Sequence, residues 1–266
     1  MPLTELMHYF NDQLQTQARL NELPKTGLFK VDNQYRARFG NLVLGSQFAE
    51  MRGVDNGELI GHYADLFVRS TTGNVLNIDA IVNSLESTEE VVHLDRLVRT
   101  LHSLNYLQQH DGFKGVLALH VQAKHILSVP QDHGKTFEKI LSDCGLNPER
   151  VILHTKLVNE LNLAHFQQAL SNYRERHYRI GIHLETLEDW LLLQQLLQQL
   201  LRQGLPLVSD YVFANTRLAS QLDREHNFME KLQILVANLD ESERHSLVAY
   251  STRQLTGYVQ PSRLAS

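Results

Sequence analysis

Three histidines, His120, His154 and His183, each stand at or near the end of a short apolar run that reads as a strand. Tyr63, Asp210 and Asn238 stand in the corresponding place on three further runs. If those strands are parallel, such residues gather at one end of the sheet, where ligands bind. Three imidazoles with water in a fourth position are a familiar zinc arrangement, and Asp210 would complete the set or orient a ligand. That centre would suit a metal-dependent hydrolase. With 14 histidines in the chain, the same placement also fits a filled, inert pocket whose polar residues bond one another and hold no metal. Other chemistries are not written here. There is no G-x-S-x-G, and Ser209-Asp210 with His183 does not make a nucleophile elbow. Gly112-Phe113-Lys114-Gly115 reads as a loop, because no helix starts there to receive a phosphate.

The elements that must position these residues follow from periodicity. Leu6, Phe10 and Leu14 recur every four residues, so Leu3 to Leu20 reads as a helix with Thr4 as N-cap, stopped by Pro24 and Gly27. Leu28 to Leu44 reads as strands around a turn at Asp32-Asn33, and Asp55-Asn56-Gly57 precedes a strand over Glu58 to Arg69. Helices are expected over Ile78 to Leu85 and Glu89 to Leu107, then strand and helix alternate. The strands are Gly115 to Val121, Arg150 to His154, Tyr178 to Leu184, Leu205 to Asp210 and Gln233 to Asn238. The intervening helices are Gly134 to Cys144, Leu157 to Arg176, Leu187 to Arg202 and Asp223 to Leu232. A period of about 27 to 35 residues implies right-handed crossovers and a parallel sheet. No glycine-rich phosphate loop follows any strand, which favours an α/β barrel over a doubly wound nucleotide fold.

Composition narrows the classes. The 266 residues are 42% hydrophobic and 21% charged, as in a globular protein. Lys plus Arg is 25 against 30 for Asp plus Glu, a net charge of −5, which makes nucleic acid an improbable partner. Cys144 is the single cysteine, so there is no internal disulfide. Met1 to Phe10 carries Glu5 and His8 and does not read as a signal peptide. Trp190 to Leu201 is broken by four glutamines and is too short to span a bilayer. The expectation is a cytoplasmic protein that does not engage a membrane. Leu193, Leu196, Leu197 and Leu200 read as a core-facing stripe, with a partner-binding helix as the alternative. Tyr173 to Arg179 reads as a basic helix end that complements its dipole.

Taken in order, several segments resemble the motifs of EAL domains, the cyclic-di-GMP phosphodiesterase barrels. Gly145-Leu146-Asn147-Pro148-Glu149-Arg150-Val151-Ile152-Leu153-His154 resembles "GLPPERLxLEITE". Leu117 to Gln122 stands where that family has "AINLS", and Tyr178 to Leu184 where it has "VRLALDDFGTGYS". Leu207 to Phe213 resembles "LKIDRSFV", Ile234 to Asp240 resembles "VVAEGVE", and Thr256-Gly257-Tyr258 resembles "QGY". The colinearity runs from Gln47 to Leu264 and implies a TIM-like barrel of the EAL type over 41–266, with an N-terminal helix and extension over 1–40.

The resemblance also implies what has been lost. The signature Glu-Ala-Leu falls on Tyr63-Ala64-Asp65, so Tyr63 replaces a glutamate ligand. His120 replaces an asparagine, His154 a glutamate, Leu157 its acidic partner, and His183-Leu184 the paired aspartates. Val208 replaces the lysine and Ala237 a further glutamate, with Asp240 a shorter stand-in for the following acid. Mg²⁺ and Mn²⁺ need hard oxygen ligands, so a degenerate domain of this kind is expected to be no enzyme. It would act as a regulatory protein through a protein partner in bacterial signalling of the motility or biofilm type, with no cofactor, and homodimerisation through the first helix is open. The alternatives are a cyclic-di-GMP receptor that does not cut its ligand, using Gln47, Arg69 and Asp210, and the zinc-dependent hydrolase built on His120, His154 and His183.

Overall fold

The computed structural model describes residues 2–129, 135–157, 163–203, 209–215, 217–219, 233–236 and 255–260. Helix α1 (Leu3–Leu20) leads into an antiparallel hairpin, β1 (Thr26–Val31) and β2 (Gln34–Phe39). Asp32 and Asn33 both take positive φ, as a two-residue primed turn requires. Strands β3 (Leu42–Gly53) and β4 (Leu59–Ser70) form a second, longer hairpin, and the short β5 (Val75–Leu76) edges β4. Next come α2 (Ile78–Ser84), α3 (Thr88–Gln109), β6 (Val116–His120), α4 (Ala123–Ser128) and α5 (Lys135–Cys144). The chain continues through β7 (Val151–Lys156), α6 (Leu163–Glu175), β8 (Arg179–Leu184), α7 (Leu187–Arg202), β9 (Tyr211–Ala214), β10 (Gln233–Val236) and β11 (Leu255–Val259).

The pairings close a ring. From β4 through β6, β7, β8, β9 and β10 to β11, each neighbour is parallel. The antiparallel β3 joins β11 on one side and β4 on the other. Alternation then sorts the side chains. Ala49, Met51, Ala118, Ile152, Tyr211, Phe213 and Val259 pack together inside, while Leu117, Leu119, Val151, Leu153, Ile180, Ile182 and Val212 face the helices. Both faces are covered, which is why these strands read as nearly continuous apolar runs.

Beyond the barrel's C-terminal mouth, β1 and β2 extend the sheet along the first residues of β3. Helix α1 buries Leu6, Met7, Phe10, Leu14 and Ala18. It also pins the outer edge: the Asn11 amide donates to Leu28 O (2.8 Å) and accepts from Leu28 N (2.5 Å). Helix α3 binds this lobe to the barrel through polar groups. Asn105 bonds both backbone groups of Tyr35 (2.9 Å each) and Ser46 Oγ (3.1 Å). His102 Nδ1 meets Ser46 Oγ at 2.9 Å, and His93 Nε2 meets Thr26 Oγ1 at 3.1 Å.

Several expectations are corrected. Pro2, not Thr4, precedes the first helical residue of α1, and no side chain caps it. The long third helix begins one residue early at Thr88, because Ser87 and Glu90 form a capping box. The expected strand Leu205–Asp210 lies partly outside the described residues, and the described strand starts at Tyr211. The expected helix Asp223–Leu232, and Asn238, Ala237, Asp240 and Val208, fall outside the described residues. As expected, Leu193, Leu196, Leu197 and Leu200 of α7 are buried, with Trp190, so that helix face serves the core.

Candidate functional site

The mouth of the barrel is filled by rings. Tyr63 comes from β4, His120 ends β6, His154 lies in β7, His183 in β8 and Phe213 in β9. His120 stands level with His154, but the strand beside His154 offers Gly181 at that level, and His183 stands one step higher, level with Lys156. The space above Gly181 is taken by neighbours. A Cβ there would meet Phe213 Cε2 at 2.6 Å and His154 Cβ at 2.9 Å. His183 stacks on Phe213 (centroids 5.0 Å, planes 5° apart), and His154 stacks on Tyr63 (4.8 Å, 24°). His154 also lies 4.8 Å from His183 and 5.3 Å from His120, ring to ring. Tyr63 Oη and His183 Nε2 share a hydrogen bond of 3.1 Å.

These rings are electrically quiet. Burial, with His120 and Lys156 nearby, pushes His183 down to about 3. Burial and three surrounding histidines push His154 well below the usual range, and His120 is lowered by burial too. Burial raises Tyr63, so its phenol keeps its proton. The structure therefore brings the three histidines together, but staggered on two levels rather than aimed at one point. Among the described residues, no set of three or more His, Cys, Asp or Glu is placed to hold a metal ion, so the zinc centre finds no support in the geometry.

Beside the ring stack is a cavity of about 230 Å³ between the mouth and helices α2 and α3. Its apolar lining residues are Leu66, Ile78, Val82, Leu94 and Val98. Its polar lining residues are Asp65, Asp95, His102, His120, Gln122, Lys156, His183 and Glu185. Most of its charges are already engaged. Lys156 Nζ binds Glu185 (2.9 Å) and Asp79 (3.1 Å). Burial opposes the charge of Lys156, but those two carboxylates outweigh it and raise the group. Asp95 is buried against Arg99, with His125 Nδ1 at 3.5 Å and Gln122 N at 3.3 Å. Burial works against its ionisation, and Arg99 leads the groups that nonetheless hold it low.

The remaining sequence-predicted residues lie elsewhere. Gln47 sits on β3 opposite Asp65, and Arg69 on β4 opposite Val43 and Val75. Both are on the strand face that carries Tyr63, but Arg69 is three alternations above it and exposed. Asp210 is at the wrong end. It precedes β9, bonds Arg174 and accepts from Ile180 N (2.8 Å), so it anchors the strand's start and does not reach the mouth. Phe213 takes the place expected of it. Asp95, Lys156, Glu185 and Phe213 were missed. Asp95 sits inside a helix for which the sequence reading singled out no residue, and Lys156 lies just past the expected strand end.

The sequence matches no protein-family model and no curated protein. Solved structures do match in fold. A standalone EAL protein from Vibrio cholerae, solved with cyclic-di-GMP, has a TM-score of 0.60 at 10% identity, covering 82% of this chain and 89% of that one. The FimX EAL domain of Xanthomonas citri, also with cyclic-di-GMP, has 0.57 at 15% identity, covering 82% and 85%. Klebsiella pneumoniae BlrP1, in a manganese and cyclic-di-GMP complex, has 0.62 at 12% identity, covering 91% of this chain and 59% of that one. The fold is therefore the EAL-type α/β barrel.

Proposed function

We propose that this chain is a catalytically inactive EAL-type barrel that acts as a regulatory protein by binding a protein partner. One observation carries the reading: the strand ends where a hydrolase of this fold needs carboxylates present a stack of neutral rings, Tyr63, His154, His183 and Phe213. Phosphodiester hydrolysis needs cations to activate water and neutralise charge, and the stack offers no anionic oxygen to hold them. Of the carboxylates near the cavity, Asp95 is committed to Arg99, and Asp79 and Glu185 to Lys156. Exposed Leu187 and Leu191, one turn apart at the start of α7, offer a partner an apolar foothold on the mouth side.

The test is incubation of the full chain with cyclic-di-GMP and Mg²⁺ or Mn²⁺, followed by separation of products. No linear dinucleotide is expected, and turnover that scales with enzyme and metal would overturn the reading. A second reading is a cyclic-di-GMP receptor without hydrolysis. It is favoured by the placement of Gln47 on the same strand face as Tyr63. Calorimetric titration separates the two, since micromolar binding without turnover selects the receptor.

A further inference from the structure

The antiparallel lobe above the mouth carries a cluster of cations that the proposed function does not use. Arg36, Gly45 and Phe67 are cross-strand neighbours in one row, and Arg38, Val43 and Arg69 in the next. Gly45 has no side chain, and the Phe67 ring lies across it: a Cβ at Gly45 would stand 2.0 to 2.8 Å from three ring atoms. Arg36 reaches the same ring from the far strand, its Cζ 4.8 Å from the centroid. Arg69 Cζ is 5.9 Å from it. One ring thus gathers two guanidiniums by cation–π attraction.

Neither Arg36 nor Arg69 makes an ion pair among the described residues. Arg36 Nη1 is buried with no hydrogen-bond partner. Asp32 in the hairpin turn acts on Arg36 through space, while burial and Arg69 work against its charge. In a chain of net charge −5, two guanidiniums held over one ring with no ion pair among the described residues form a prepared anion site.

We propose that Arg36 and Arg69, held over Phe67, bind a phosphate dianion of the monoester class. The charge count selects that class: two guanidiniums match a doubly charged phosphate, and their forked donors match its oxygens. A phosphodiester has one charge per phosphate and leaves one arginine unpaired. Arg36 belongs to the β1–β2 hairpin, so the site depends on the N-terminal lobe and stands apart from the ring-filled mouth. It holds whichever partner the barrel serves.

The experiment titrates the full chain with inorganic phosphate and with phenyl phosphate at pH 7.5 and constant ionic strength, read by calorimetry. Arg36→Gln, Arg69→Gln and the exposed neighbour Arg38→Gln are run beside it, with urea unfolding as the folding control. Saturable binding is expected, weakened at least tenfold by Arg36→Gln and by Arg69→Gln and less than threefold by Arg38→Gln. If a glutamine variant fails to unfold cooperatively, Arg36→Lys, which keeps charge and loses the fork, is expected to weaken binding several-fold. Binding no stronger than that of chloride, or unchanged in Arg36→Gln and Arg69→Gln, overturns the proposal. So does tight binding of cyclic-di-GMP with none of phosphate, which would point to the receptor reading instead.

Discussion

His154 gives the sharpest test of the ring-filled mouth. It is fully buried, and among the described residues neither ring nitrogen has a hydrogen-bond partner. A neutral imidazole carries one donor and one acceptor, and leaving such a buried group unsatisfied costs about 1–3 kcal/mol. His154→Phe keeps the contacts with Tyr63, His183 and Phe213 and removes both polar atoms. Its larger ring costs about 1–3 kcal/mol in overpacking, so at neutral pH the two effects nearly cancel. The pH dependence does not cancel. Burial and its histidine neighbours hold folded His154 neutral far below the ordinary histidine value. The unfolded chain takes a proton as pH falls through about 6.5 while the folded chain does not, so acid favours unfolding. Between pH 6.5 and 4.5 that single residue removes about 2 kcal/mol of stability, and the phenylalanine variant is spared the loss. Urea unfolding at pH 6.5, 5.5 and 4.5 reads it. The expected result is a stability difference that moves by about 2 kcal/mol in favour of the variant as the pH falls. Two curves that stay parallel would mean that His154 is protonated in the folded protein or bonded to a partner, and the reasoning fails.

Two further outcomes follow from α3. Asp95→Asn leaves Arg99 buried without its carboxylate, and a loss of about 3–5 kcal/mol is expected in urea unfolding at pH 7. The Asp95 carboxyl is held low in the folded state, so its contribution is present above about pH 4 and disappears on acidification below it. Asn105→Ala frees both backbone groups of Tyr35. About 2–4 kcal/mol should be lost, and limited proteolysis should cut the β1–β2 hairpin before the barrel.

The barrel was legible because its strands are covered on both faces. Runs such as Leu117–Leu119 and Val151–Leu153 stay apolar through inner and outer positions alike, and turn residues punctuate them. The clustering of His120, His154 and His183 was legible for the same reason, since each run has a fixed end. Their stagger was not. It depends on parallel register, with Gly181 rather than His183 level with His154, and register leaves no trace in one sequence. Asp210 misled because it was read as a strand's end, whereas the described strand begins after it, at Tyr211. Its carboxylate is used at the start of the following strand, to bond Ile180 N and Arg174. The polar side of α3 was hidden by its apolar residues: Asp95, Arg99, His102 and Asn105 each find a partner far away in sequence or within the helix, which composition cannot show.

The Asn11 side chain gives the sheet a boundary. An exposed outer strand is a template on which another chain can add itself, and nothing in a backbone ladder says where to stop. Here one amide occupies both groups that Leu28 turns outward, in the geometry an incoming strand would use. At the opposite margin β5 has two residues, too short a platform to recruit a partner. Among the described residues, self-association by strand addition is therefore opposed at Leu28 and at β5. Copies of this protein that meet must recognise each other, or anything else, through side-chain surfaces, whose specificity mutation can tune one residue at a time.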